Sequence, residues 1–253
     1  KGSLYKVYNN NLLYHGCVPL NEDGSFKVVN IYGNEYSGKG LYEVLESYVR
    51  KGFRAIDKEE RERGKDIMWY IWLSENSPLY GKDKMATFEC QLMTDKELQK
   101  EKKNPYYKLL ENEAVADMIM DEFGLEKDCR RIVNGHVPVK SKDGESPIKC
   151  NGKVLVIDGG FSKAYQKETG IAGYTLIYNS HGMILAAHEP FESREKAVSD
   201  CTDIVSKRVA VEHTSRRISI GDTDEGARMK MRIDDLKSLI AAYREGVLQE
   251  RDD

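Results

Sequence analysis

The 253-residue chain has no apolar run approaching the about 20 residues of a membrane-spanning helix, no marked excess of either charge and no paired cysteines. Its 39 Lys and Arg face 42 Asp and Glu, a formal net charge of -3. Binding to a phosphate backbone shows as a basic excess, so nucleic acid is excluded as the main partner. No membrane partner is expected either. Five cysteines, Cys17, Cys90, Cys129, Cys150 and Cys201, form an odd set without a C-x-x-C pair. Together with the lack of a secretory leader, this predicts reduced thiols in a cytoplasmic chain. Also missing are H-E-x-x-H, the P-loop, G-x-S-x-G and a G-x-G-x-x-G after a strand, which removes zincins, P-loop NTPases, α/β-hydrolases and Rossmann enzymes. No internal repeat or low-complexity linker divides the chain. A chain of this length buries on the order of three quarters of its unfolded surface, so its core needs no disulfide or structural metal.

The periodicity that is present changes along the chain. Leu4, Tyr5, Val7 and Tyr8, then Asn9-Asn10-Asn11, then Leu12-Leu13-Tyr14, predict two strands around a polar turn, with an exit at His15-Gly16-Cys17. From Ser37 the spacing of Leu41, Val44, Leu45, Tyr48 and Val49 predicts a helix stopped by Gly52. A second helix is predicted over Asp57 to Leu73, and a third from Asn104-Pro105 to Gly124. Beyond Gly124 strands dominate: Ile132-Val133 into Asn134-Gly135-His136-Val137-Pro138-Val139, Val154 to Ile157 into Asp158-Gly159-Gly160, and a hairpin turning at Asn179 to Gly182. A helix from Ser193 and a terminal helix through Ile233, Leu236, Leu239, Ile240 and Tyr243 with Gly246 as its stop complete the order. Residues 37–125 are read as a helical insertion in a core of residues 1–36 and 126–253, although the same helices suit the main core on periodicity alone.

Five histidines are available for chemistry. His15 follows an apolar strand and precedes glycine, and His136 follows Val-rich sequence in Gly-His. Both spacings place an imidazole at the carboxyl edge of a sheet, where α/β proteins hold ligands and metals. The same pattern also suits loop histidines bonded to the backbone. The Asp158-Gly159-Gly160 turn offers backbone N–H groups to an anion, or is simply a sharp turn.

Leu13-Tyr14-His15-Gly16-Cys17-Val18-Pro19, Asn134-Gly135-His136-Val137-Pro138-Val139 and Val156-Ile157-Asp158-Gly159-Gly160-Phe161-Ser162 resemble the later motifs of calcineurin-like metallophosphatases. Tyr14 through Gly24, Lys149 to Ile177, and His188-Glu189-Pro190-Phe191-Glu192-Ser193 resemble more closely the class 3 fructose-1,6-bisphosphatases of bacteria. The resemblance implies an α/β (α+β) fold, the C-terminal portion of a four-layer αββα sandwich with a helical cap. It implies a gluconeogenic phosphatase that removes the 1-phosphate of fructose 1,6-bisphosphate, with Mn²⁺ or Mg²⁺ in a dinuclear site and His15 and His136 as two of its ligands. Pro138 stands where many relatives have a second histidine in Gly-His-x-His.

The earlier motifs of that superfamily, Asp-x-His, Gly-Asp-x-x-Asp-x-Gly and Gly-Asn-His-Asp/Glu, do not occur here. They supply most ligands and the general acid, so the resemblance implies that an N-terminal half of the same enzyme is the partner and that this chain alone is a poor catalyst. Gly221-Asp222-Thr223-Asp224 has the wrong spacing and reads as a turn and helix cap. A sugar bisphosphate needs cations for its second phosphate, and Arg130, Lys140, Lys163 and Tyr165 flank the two late motifs. A homo-oligomer is compatible with this reading. The alternatives are another calcineurin-like phosphatase, acting on protein or dinucleotide polyphosphates, and a non-catalytic assembly module.

Overall fold

Asn9 and Asn10 both adopt positive φ, 47° and 58°, the combination a two-residue hairpin turn demands and asparagine tolerates. They join β1 (Tyr5–Tyr8) to β2 (Asn11–Tyr14). This computed structural model describes residues 2–158, 163–201 and 206–249, with the side chains of 163–165 outside that description. A second hairpin, β3 (Val29–Ile31) and β4 (Asn34–Tyr36), leads into α1 (Gly38–Arg54) and α2 (Lys58–Leu73), the latter capped by Asp57 on the Glu60 N–H. Gly52 does not stop α1. It lies against Gly64 of α2 so closely that a Cβ on Gly52 would come within 2.6 Å of the Gly64 Cα. The two glycines let the helix backbones touch, and Leu41, Leu45, Ile67 and Ile71 are buried along the same seam.

A short helix, α3 (Thr87–Leu92), precedes α4 (Tyr106–Leu109) and α5 (Glu113–Glu122). The single helix expected from 104 to 124 is therefore two. Asn112 breaks it, leaving the helical region and accepting the Ala114 N–H with its side chain, the local competition that makes asparagine a cap.

The strand-rich part begins with β5 (Arg131–Asn134), β6 (Ile148–Lys149) and β7 (Val154–Val156). They join the first hairpin in a five-stranded mixed sheet of order β1-β2-β5-β7-β6, in which β2, β5 and β7 run parallel. After α6 (Lys163–Thr169), β8 (Gly173–Asn179) and β9 (Gly182–His188) form the expected hairpin. The helix from Ser193 is only α7 (Arg194–Ser199), and Ile204 and Val205 of its expected face lie outside the described residues. β10 (Ser206–His213), not anticipated, adds to β9 in a three-stranded antiparallel sheet. The chain then enters α8 (Asp224–Arg244), whose cap is Thr223, with Gly246 at positive φ just beyond it.

Alternation in β5 and β7 decides the layering. Ile132 and Val154 point to a cluster with Leu12, Tyr42, Tyr106, Ala116, Ile119 and Met120, which is the helical side. Val133 and Leu155 point the other way, against Met183 of the second sheet. Burial on both faces explains why these parallel strands are uniformly apolar. Tyr14 and Tyr106 share a 2.5 Å hydroxyl contact in the helical-side cluster, and the Tyr42 hydroxyl donates to the Cys17 carbonyl at 2.8 Å, so these three tyrosine oxygens are paired, whereas the buried hydroxyl of the adjoining Tyr107 is not. The Cys17 thiol is fully buried there and its pKa is pushed up to about 12 by that burial. Among the described residues no helix is long and apolar enough to cross a membrane.

Candidate active site

The parallel register of β2 and β5 pairs Asn11 with Arg131, Leu12 with Ile132 and Leu13 with Val133, so the two strands finish level at their carboxyl ends. The residues that leave them, His15 and His136, meet there. His15 Nε2 lies 3.0 Å from His136 Nδ1, although 121 positions separate them. The Gly135 N–H donates to the His15 carbonyl at 3.0 Å, and His136 itself adopts a φ of 68°, which ends β5 at Asn134 instead of letting the strand run on to Val139. Asp158 follows β7, and its Cβ would lie 3.5 Å from a Cβ placed on Gly135. Three adjacent parallel strands thus deliver their loop residues to one edge, the usual ligand position of such sheets.

Burial is the main cause that pushes the His136 pKa below its ordinary value, followed by neighbouring His15; the Tyr80 carbonyl and Asp158 oppose the shift and Lys82 reinforces it. The shift favours the neutral imidazole of His136. Its Nε2 is buried and, although the Tyr80 carbonyl lies beside the ring, makes no hydrogen bond of good geometry; the Asn134 Oδ1 two residues before it is likewise buried and unpaired. Buried polar atoms are nearly always paired, and the exceptions call for a ligand or a functional reason. A neutral imidazole with an unoccupied ring nitrogen is the form that binds a transition metal. Among the described residues no group of three His, Cys, Asp or Glu side chains comes together as a metal site. The histidine pair fits part of a metal centre and not the whole of one, because divalent cations also need carboxylates for charge.

The cationic residues divide. Lys140 is exposed, its backbone N–H donates to Glu145, and among the described residues its ammonium has no carboxylate within ion-pair distance. It lies in a group of lysines: Lys103 has its pKa lowered first by burial and then by Lys140, with Lys82 and Lys149 adding and Glu145 opposing. Arg130 is 6% exposed and gives its guanidinium to Asp117 at 2.8 Å and to Asp121. Its donors serve the seam between α5 and the sheet. Arg131 pairs with Glu212 at 2.9 Å. The side chains of Lys163 and Tyr165, and Gly159-Gly160, lie outside the described residues. His188 bonds Thr175 and Ser206 through its two ring nitrogens at 2.7 and 2.8 Å, which ties β8 to β10 across β9. Tyr80 and Lys82 escaped the sequence reading, since they come from an irregular stretch with no motif. Asn134 carried a signal in Asn-Gly-His, but only burial shows its unpaired oxygen.

The Arg130 cluster has a pH signature. Lys153 and Arg130 hold the Asp117 carboxyl below the usual carboxylate range. The stabilisation is complete above the unfolded carboxyl pKa of about 4 and is lost as pH falls through the lower folded value. Asp117→Asn is expected to flatten the acid limb of the unfolding-versus-pH curve. An unchanged acid limb would mean that these contacts contribute nothing to stability.

The family described as Firmicute fructose-1,6-bisphosphatase matches residues 1–245. A fructose-1,6-bisphosphatase class 3 of Clostridioides difficile (strain 630) is 57% identical over 251 residues, covering 99% of this chain and 38% of that protein. A protein of the same name from Clostridium botulinum (strain 657 / Type Ba4) is 53% identical over 253 residues, again covering 38% of its length. The chain thus spans well under half the length of these relatives. No solved structure matches it. With a family match over nearly every residue and more than half of the positions identical to these relatives, this chain belongs to the Firmicute fructose-1,6-bisphosphatase family.

Proposed function

We propose that this chain is the part of a class 3 fructose-1,6-bisphosphatase that contributes His15 and His136 to a dinuclear Mn²⁺ or Mg²⁺ centre. The remaining ligands and the general acid come from the portion of the family protein that the chain does not span. The observation that carries the reading is the convergence of two imidazoles from distant strands at 3.0 Å, one with a buried, unpartnered nitrogen. Two bound cations would supply charge to activate a water and to neutralise phosphoryl oxygens.

The chain's own residues set the frame for that chemistry. Level strand ends hold the two rings at one edge, and burial favours the neutral form of His136, whose ring nitrogen is available as a ligand. In this reading Lys140 and Lys103 supply positive charge for the second phosphate of a sugar bisphosphate, while the neighbouring Lys82 is paired with Glu101. Arg130 is left out of this role because its donors are committed to Asp117 and Asp121. The fold is read as part of a four-layer αββα sandwich, with residues 37–125 as a helical elaboration between two strands that are neighbours in the sheet. The gluconeogenic hydrolysis of fructose 1,6-bisphosphate is the activity of the whole protein in this proposal.

Calorimetric titration with Mn²⁺ tests it. The full-length family protein is expected to bind two ions per chain, and His136→Ala to abolish tight binding of at least one. The 253-residue chain alone is expected to bind none tightly. Two tight ions on the isolated chain would place the carboxylate ligands within it, and the division of ligands proposed here would be wrong.

A further inference from the structure

The terminal helix has the apolar residues its sequence promised, but they are not in the core. Met229, Ile233, Leu236, Ile240 and Tyr243 recur at alternating steps of four and three, the heptad spacing of a coiled-coil seam, with Ile at both a positions and Leu at a d position. All five are 44% to 50% exposed. Among the described residues the hydrogen bonds that tie the helix to the rest of the chain lie near its start. Asn9 and Asp224 exchange two hydrogen bonds at 2.6 and 2.9 Å, and Lys230 donates to the Gly221 carbonyl at 2.8 Å. Beyond Lys230, α8 continues to Arg244 for roughly 20 Å, at about 1.5 Å per residue. A helix of this length is marginal in water without a packed face.

The charges beside the seam choose its occupant. The flanking e and g positions hold Lys230, Arg232, Lys237 and Arg244, with Leu239 the only uncharged one within this stretch. In a parallel pairing of two copies Arg232 would face Lys237 of the other copy, and an antiparallel pairing would also set basic flank against basic flank. Like charges across a seam are repulsive and select against that partner. An apolar seam with basic flanks suits a helix whose own seam is flanked by acids. The relatives that this chain matches are much longer than it, with the match covering only 38% of their length, so most of the family protein is available to supply that helix.

We propose that α8 docks through the Met229, Ile233, Leu236, Ile240 and Tyr243 seam onto an acid-flanked amphipathic helix in the portion of the family protein outside this chain. The interaction is within one polypeptide, and it is independent of the metal centre.

Hydrogen exchange in the full-length family protein tests this without any activity readout. Amides 233–243 are expected to exchange at least 100-fold slower than in an unstructured peptide, by the same factor over a tenfold range of protein concentration. Arg232→Glu places an acid beside an acid and is expected to cut that protection at least tenfold while leaving β5 and β7 amides unchanged. A photo-crosslinking amino acid at position 239 is expected to join a segment outside these 253 residues. Protection that rises with concentration and strengthens in Arg232→Glu would assign the seam to a second copy and overturn the proposal. Absence of protection, or protection indifferent to Arg232→Glu, would overturn it as well.

Discussion

Replacing His136 by alanine in the full-length family protein is expected to lower kcat/KM for the sugar bisphosphate by about 10²–10³-fold, the loss typical of removing one preorganised electrostatic stabiliser. His15→Ala is expected to cost a similar factor, and the double variant no more than about either one, because groups that act as a unit are not additive. The fold predicts a clean separation from stability. His15 is exposed, and the hydrogen bond that His136 gives up is the one its Nδ1 shares with that exposed ring, a contact of small net worth beside solvent. Alanine at 136 must hold the same left-handed backbone, which histidine tolerates somewhat better, so the substitution adds only a small strain. The unfolding midpoint of His136→Ala is therefore expected to stay close to that of the parent. Activity within about threefold of the parent for both single variants would show that the pair is not part of the reacting centre. A large fall in midpoint accompanying lost activity would assign the histidines to the fold.

Gly16→Val is expected to destabilise the chain by about 3–4 kcal/mol, adding overpacking to the loss of a buried hydrogen bond. The cause is backbone against backbone. A Cβ at residue 16 would lie 2.4 Å from the Pro78 carbonyl oxygen and 2.6 Å from that of Leu79, neither of which is the end of a flexible side chain. Relief requires moving the 77–79 segment, which accepts the Cys17 N–H at 2.9 Å, or moving His15. For a chain of this size that energy corresponds to a midpoint lower by on the order of 10 °C. Gly135 is the internal comparison, because it flanks the other histidine yet its nearest atom to a new Cβ is Asp158 Cβ at 3.5 Å, an ordinary contact. Thermal unfolding of Gly16→Val and Gly135→Ala side by side should show a large and a small shift. Equal shifts would remove close packing at residue 16 as the explanation.

The parts of this protein legible from sequence are those settled by neighbours in the chain. Asn9-Asn10 announces a hairpin because asparagine tolerates left-handed backbone. Asp57 and Thr223 announce helix starts, Gly246 a helix end, and the Val-Leu-Val of β7 a strand buried on both faces. His15 and His136 were visible as candidates because each stands where an apolar strand gives way beside a glycine. Their meeting was not visible. It depends on the parallel register of β2 and β5, which is set by packing of side chains 120 positions apart and has no local signature. Non-local packing also explains the misreadings. Gly52 resembles a helix stop, but it is a contact point whose meaning lies on α2. Arg130 beside a motif resembles a phosphate ligand until α5 brings Asp117 and Asp121 to it. The apolar stripe of α8 is the same in sequence whether it is buried or bare. Local propensity and period determined which segments become helix or strand, whereas which faces are covered, which charges are spent and which imidazole nitrogen stays open were decided only by the tertiary structure, because burial and electrostatic pairing are properties of distance in space.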